Sequence, residues 1–221
     1  MAKTKLFKIL MAAFLTISCV GFTANAQRVS SSAKEAASAK VSKEAKAEAK
    51  KLTKEGWKVA PGALPLERQL ERSYGLQYEF NDENQPKYLF GDGMSTAESY
   101  DVAKMQATEI AKQNLASKIE SELTAEIKTT VSNNQMSPEE ATSLLEILQG
   151  SRTVITQSMG RVTPVTEVYR KLKNKNTEVS VRIAYNSETI KKKAKDIIRK
   201  QQRERGEKIH QNIEGYELGN H

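Results

Sequence analysis

Hydrophobic and polar positions change their spacing several times along the chain, and each spacing predicts a different element. The first segment is almost uninterrupted: residues 9–22 are mostly apolar, follow a start that holds three lysines, and lead to Ala24-Asn25-Ala26. A basic start, a short apolar core and small residues before a cleavage point are typical of a secretory signal peptide. We therefore predict that residues 1–26 are a signal peptide, too short in its apolar part to remain as a membrane-spanning helix.

The next segment, residues 27–56, has almost no large apolar side chains and is rich in Ala, Lys and Glu. These residues favour helix strongly, but such a helix has little to bury. The pattern predicts a helical spacer or a mobile arm, ended by Gly56. Residues 57–75 then form a linker, in which Trp57 is expected to pin the chain onto the domain and Pro65 to start a short helix.

The main domain is predicted over residues 76–205. Residues 77–80 and 87–90 are predicted as two strands around a polar turn, and 91–95 as the loop that leads into a long helix. Ser95 and Glu98 are spaced as a capping box for that helix. Its apolar stripe shifts from alanines to large aliphatic residues at a spacing of four, so the stripe winds and the second half should meet a different neighbour.

Two more helices and two more strands complete this domain. Ser137-Pro138-Glu139-Glu140 has the composition of a helix start, and the leucines that follow form one face. Residues 178–185 alternate between apolar and polar, which predicts a strand with one buried face. Residues 162–172 are predicted as its hairpin partner. A last helix should begin near Ser187 and end near Gly206, before a polar tail over 206–221.

These elements predict an α+β fold. An antiparallel sheet of about four strands would be packed by the long helix and a C-terminal helix, with the helical N-terminal spacer in front.

The scarcity of cysteine and histidine narrows the kinds of catalytic and metal site that the chain can form. The single cysteine, Cys19, lies inside the predicted signal peptide, so the exported chain would have no disulfide, no thiolate nucleophile and no cysteine metal site. The alternative is a lipoprotein in which Cys19 is acylated, although Thr16 and Ser18 match that signal only in part. Both histidines, His210 and His221, fall in the tail, which disfavours histidine-based catalysis and an ordinary zinc site. No cofactor is predicted.

With cysteine and histidine scarce, the carboxylates of Asp and Glu are the side chains left as candidates for catalysis. Asp92, Glu98 and Asp101 cluster near the predicted start of the long helix and form a weak candidate site for carboxylate-based catalysis or an oxygen-ligand metal. The simpler interpretation is that they are turn and cap residues. Gly91-Asp92-Gly93 has the beginning of a phosphate-binding loop, but Thr96 stands where a third glycine would be needed, so a turn is favoured.

The distribution of charge gives a second candidate site, a basic segment that could bind anions. The net charge is +8, and residues 191–208 hold nine basic residues against three acidic ones. Such a segment could contact anionic lipid or wall polymer, or it could be an ordinary solvated helix surface. The candidate anion contacts are Lys191, Lys192, Lys193, Lys195, Arg199 and Lys200. Basic patches interleaved with aromatic residues are not present, and nucleic acid is not an expected partner.

Two segments carry a family resemblance: Leu-Phe-Gly-Asp-Gly-Met-Ser at 89–95 with the alanine-rich helix after it, and Ser-Met-Gly-Arg-Val at 158–162 with the hairpin after it. Together they resemble the small bacterial outer-membrane lipoproteins that share a fold with the N-terminal domain of flagellar assembly protein T. The resemblance covers about residues 76–200 and implies an α+β domain of the periplasm or outer membrane, with no catalytic residues to carry over.

The sequence therefore predicts a non-catalytic, exported bacterial cell-envelope protein, periplasmic or associated with the outer membrane. Its expected role is structural, assembly or binding, with other envelope proteins or a second copy as partner and no transmembrane helix in the mature chain. Two alternatives stay open: an extracytoplasmic hydrolase-type enzyme with a carboxylate site, and a binder of anionic wall or lipid material.

Overall fold

The computed structural model describes the backbone of residues 23–218 and the side chains of residues 38–206. Most of the predicted signal peptide, including Cys19, lies outside the described residues, as do the side chains of His210 and His221. The chain divides into two compact units, residues 1–40 and residues 41–221. The described part of the first unit is helical; the fold below is that of the second.

The element order confirms the α+β class. In chain order the elements are α1 Thr23–Lys54, α2 Leu66–Gln77, β1 Tyr88–Ala97, α3 Tyr100–Ser132, α4 Pro138–Gly150, α5 Arg152–Ser158, β2 Thr166–Lys171, β3 Thr177–Asn186 and α6 Ser187–Leu218.

The sheet of the described chain has three antiparallel strands in the order β1-β3-β2, fewer than the predicted four. The strand predicted at residues 77–80 is not formed, because α2 continues to Gln77 and Phe80 makes only an isolated bridge to Pro86. The Asn81 side chain accepts the amides of Glu83 and Gln85 at 3.1 and 2.8 Å. These local hydrogen bonds close a tight turn and compete with an extended ladder.

The largest correction concerns residues 91–95, which continue strand β1 and do not form a loop. Gly91 pairs with Ile183 and Gly93 with Val181 on β3. The cap of α3 is Ser99, whose hydroxyl accepts the Val102 amide at 3.3 Å, and not the predicted Ser95. The strand thus reaches nearly to the helix, and only a two-residue connection joins them.

The two glycines of β1 lie directly under helix α3. A Cβ atom on Gly91 would stand 2.1 Å from the carbonyl oxygen of Ala111, and one on Gly93 would stand 2.0 Å from that of Ala107. Both distances are far below van der Waals contact, so only glycine allows this approach. The glycine pattern therefore reflects helix–sheet packing and is not a phosphate-binding loop.

The main core lies between α3, the sheet and the later helices. From α3, Leu115 and Ile119 are fully buried, and Val179, Val181 and Ile183 meet this core from β3. Helix α3 contacts α4, α5 and α6 in addition to the sheet, and the ion pairs that Glu122 and Glu126 form with α6 lie in its second half. This agrees with the winding apolar stripe seen in the sequence, which turns from one neighbour to another along the helix.

A second, smaller cluster packs on the other face of the sheet. It joins Ala45 and Ala49 of α1 to Trp57, two leucines of α2 and Val168 of β2. Trp57 is 7% exposed and lies under the Arg170 guanidinium, 4.4 Å from the ring centre, which confirms its predicted anchoring role. The expectation that residues 27–56 have little to bury fails for residues 41–54, because small alanines let this part of α1 approach closely.

The sequence predicted the start of α4 correctly but not the end of α6. Helix α4 begins at Pro138 with the capping box formed by Ser137 and Glu140, as predicted. Helix α6 does not end at Gly206 but continues to Leu218. A glycine inside a helix costs about 0.5–1 kcal/mol, and the Lys, Arg, Glu and Gln residues around this one favour helix strongly enough to offset that cost.

Strand β1 forms an outer edge of the sheet, and α3 covers part of that edge. The Lys118 ammonium donates to the carbonyl oxygen of Phe90 at 2.6 Å, and the Asn114 amide donates to that of Asp92 at 2.7 Å. Unpaired carbonyls on an edge strand are a template for pairing with another chain, and lysine is a common means of preventing it.

We expect Gly93→Ala to lower the free energy of unfolding by about 3 kcal/mol or more, because the added methyl group must push α3 away from the sheet. Urea denaturation followed by circular dichroism measures the change. Gly75→Ala is the matched control: its Cβ would meet nothing within 4 Å, so this variant should be neutral or stabilised by about 0.5–1 kcal/mol. Equal effects of the two substitutions would refute the packing role of Gly93.

We expect the double substitution Lys118→Ala with Asn114→Ala to increase self-association, because it exposes two carbonyl groups on β1. Light scattering coupled to size exclusion, over a range of protein concentrations, measures this against the unaltered protein. Lys128→Ala removes an exposed lysine from the same helix and should change nothing. An unchanged mass for the double variant would show that these side chains do not protect the edge.

Candidate functional site

The three candidate carboxylates do not converge. Asp92 lies in the middle of β1, on the face away from α3, and accepts two hydrogen bonds from Arg182 at 2.6 and 3.4 Å. Glu98 and Asp101 are exposed and flank the start of α3. Glu98 lies six positions after Asp92 along nearly extended chain, a span of about 20 Å. Among the described side chains, no group of three or more metal-ligating residues is placed to hold a metal ion.

The candidate anion contacts on α6 are largely engaged by acidic residues. Lys191 binds Glu122 at 2.7 Å, and Lys195 binds Glu126 at 2.6 Å. These contacts join α6 to the second half of α3.

The other four members of the set differ in their surroundings. Arg199 and Lys200 pair with Asp196 and Glu204 on α6 itself, at 3.3 and 3.8 Å. Lys193 donates to the Tyr185 hydroxyl at 2.9 Å, and within the described part of the chain Lys192 makes no ion pair. The run that is strongly basic in sequence is thus a mixed-charge surface in the fold.

Two cavities share Glu126 and Thr130 in their linings. The larger, of about 620 Å³, is open and mixed in character; Pro86, Leu89, Ala125, Thr129, Glu122 and Lys191 are among its lining residues. The smaller, of about 350 Å³, is mainly apolar and lies between α3, α4 and α6. Leu123, Ile127, Met136, Leu144 and Ile198 line it, together with the charged side chains of Glu126, Lys195 and Arg199.

A polar network that the sequence did not reveal joins α3, β2 and α2. The carboxylate of Glu167 accepts a hydrogen bond from the Tyr100 hydroxyl and lies 2.9 Å from the Lys104 ammonium. The backbone amide of Glu167 donates to the buried Gln69 side chain at 2.8 Å. Tyr100 and Glu167 are 67 positions apart, so no local motif could have indicated the pair.

The network keeps the Tyr100 phenol in its protonated form. Burial, and then the hydrogen bond to the Glu167 carboxylate, raise the pKa of the Tyr100 phenol above its usual value. The Tyr169 ring packs edge-on against it with 5.2 Å between centroids. A phenol with this preference donates a hydrogen bond at neutral pH, and the arrangement ties the three elements together.

Within residues 23–218, no helix has both the length and the hydropathy that crossing a bilayer requires. No protein-family model, curated protein or solved structure matches the chain. The resemblance to the outer-membrane lipoproteins therefore stays a prediction from the residues at 89–95 and 158–162.

We expect Tyr100→Phe to lower the free energy of unfolding at pH 7 by about 1.5–3 kcal/mol, the range for a hydrogen bond to a charged group. Because the pKa is higher in the folded protein, this contribution is complete below the unfolded value of about 10 and is lost as pH rises through the folded one. The difference between variant and unaltered protein should therefore narrow above pH 10. Urea denaturation at several pH values measures it.

Tyr78→Phe is the control for this experiment, since Tyr78 is 54% exposed. It should leave stability unchanged across the pH range. A constant difference between Tyr100→Phe and the unaltered protein up to strongly alkaline pH would contradict the assigned role of the phenol.

Proposed function

We propose that the protein is a non-catalytic, exported cell-envelope protein whose α+β domain serves as a binding or assembly module in the periplasm or at the outer membrane. The amino-terminal sequence supports export, because a lysine-rich start and the apolar run 9–22 lead to Ala24-Asn25-Ala26. The resemblance to envelope lipoproteins supports the same compartment.

Several side chains that could perform chemistry are engaged in structural contacts, which favours a binding role. Asp92 pairs with Arg182, Glu167 with Tyr100 and Lys104, and Lys195 with Glu126. The proposed partners are other envelope proteins or a second copy of this chain.

One surface feature supports protein contact. Val102 and Met105 lie one turn apart at the start of α3 and are 42% and 62% exposed. Methionine adapts its shape to a partner more readily than branched side chains do, and adjacent exposed apolar residues are more typical of a contact surface than scattered ones.

Sequencing the amino terminus of protein recovered from its native cells tests the proposal. We expect a chain that begins at Gln27, found in the envelope or periplasmic fraction, because cleavage follows the small residue Ala26. An intact Met1 in the cytosolic fraction would contradict export.

Two variants sharpen this experiment. Ala26→Tyr places a bulky residue at the cleavage point and should leave uncleaved precursor. Cys19→Ala separates the two export routes: if the chain is a lipoprotein, this change releases it from the membrane fraction, and if it is a soluble periplasmic protein, the distribution stays the same.

A further inference from the structure

The cavity of about 350 Å³ between α3, α4 and α6 has the properties of a small ligand site. Its volume lies within the range of about 300–1,000 Å³ that is usual for such sites. Its lining combines a mainly apolar interior with a few charged groups, which is also usual. It is a half-open cleft, accessible from solvent.

The apolar wall belongs to the protein core and is therefore preformed. Leu123 and Ile198 are 2% and 7% exposed and are members of the main buried cluster. Ile127 and Leu144 are half-buried and pack against that cluster. Because three helices contribute these side chains, the wall needs no reorganisation to receive an apolar chain, which lowers the cost of binding.

Three charged side chains line the cavity: those of Glu126, Lys195 and Arg199. Glu126 is compensated, since Lys195 and Lys191 lie 2.6 and 3.8 Å from its carboxylate. The Arg199 side chain is 70% exposed, and its one ion pair within the described part of the chain is with Asp196 on its own helix, at 3.3 Å. Each basic lining residue already has an acidic partner, Lys195 with Glu126 and Arg199 with Asp196. Exposed ion pairs are weak, and the five guanidinium donors of Arg199 leave several available to a ligand anion.

We propose that this cavity binds a small amphipathic anion, a single acyl chain with a carboxylate or phosphate head. The chain lies against Leu123, Ile127 and Leu144, and the head contacts Arg199 and Lys195. The methylene stems of these two basic residues extend the apolar wall while their charged ends reach the head group. This proposal goes beyond the function proposed above, because it concerns the folded domain and does not depend on export.

Calorimetric titration of the purified protein tests it, with three probes that share one chain length. Decanoate and decyl phosphate carry the two anionic heads, and decanol carries a neutral one; all are kept below their critical micelle concentrations. We expect saturable one-site binding of both anions and about tenfold weaker binding of decanol, a difference of about 1.4 kcal/mol. Preference for one anion over the other identifies the head group.

Two charge reversals on α6 locate the site. Arg199→Glu should weaken both anions about tenfold or more and leave decanol unchanged, because it reverses one charge at the proposed head position. Lys192→Glu makes the same change in charge at an exposed residue that does not line the cavity, and should leave all three probes unchanged. Both side chains are exposed, so neither variant is expected to disturb folding.

The methyl resonance of Met136 gives an independent measurement, since this residue lines the cavity. Its chemical shift should move on titration with decanoate and saturate at the calorimetric stoichiometry. The proposal is overturned if neither anion binds saturably, if Lys192→Glu weakens binding as much as Arg199→Glu, or if the Met136 resonance stays fixed while heat is released. None of these results bears on the compartment of the protein, which the amino-terminal sequencing decides separately.

Discussion

The backbone contact between strand β1 and helix α3 is the constraint on which the rest of the fold depends. Gly91 and Gly93 let the helix approach until the carbonyl groups of Ala107 and Ala111 lie where a Cβ atom would be. This approach places Leu115 and Ile119 over β3, where they close the main core. It also sets the start of α3, from which Tyr100 reaches the Glu167 carboxylate.

The distribution of charge follows from the same packing. Helix α3 is 33 residues long and meets α4, α5 and α6 in addition to the sheet. Two acidic residues of its second half, Glu122 and Glu126, face Lys191 and Lys195. Opposite charges therefore meet between helices, and a sequence that is basic over 191–208 presents a mixed surface. Between α3, α4 and α6, apolar side chains and the charged ends of Glu126, Lys195 and Arg199 line one cavity. The proposed ligand class follows from that combination.

Sequence reasoning succeeded where the signal is local. The alternating residues of β3, the capping box at Ser137 and the anchoring role of Trp57 were all predictable, because each depends on a few neighbouring residues or on burial of one large side chain. It failed at residues 91–95, where two glycines and a serine have the composition of a turn. It failed again at Gly206, where the neighbouring residues sustain the helix. The candidate carboxylates were close in sequence, yet an extended strand separates Asp92 from the other two.

The sequence by itself determined the α+β class, the capping box that starts α4, the alternation of β3 and the scarcity of cysteine and histidine, because these depend on composition and on short-range periodicity. Only the tertiary structure decided that the glycines of β1 serve packing, that Glu167 joins Tyr100 and Lys104, and that Arg199 borders an apolar cavity. The physical reason is that these arrangements bring together residues distant in the chain. Their contact is set by the approach of whole helices and strands, and no local pattern encodes that approach.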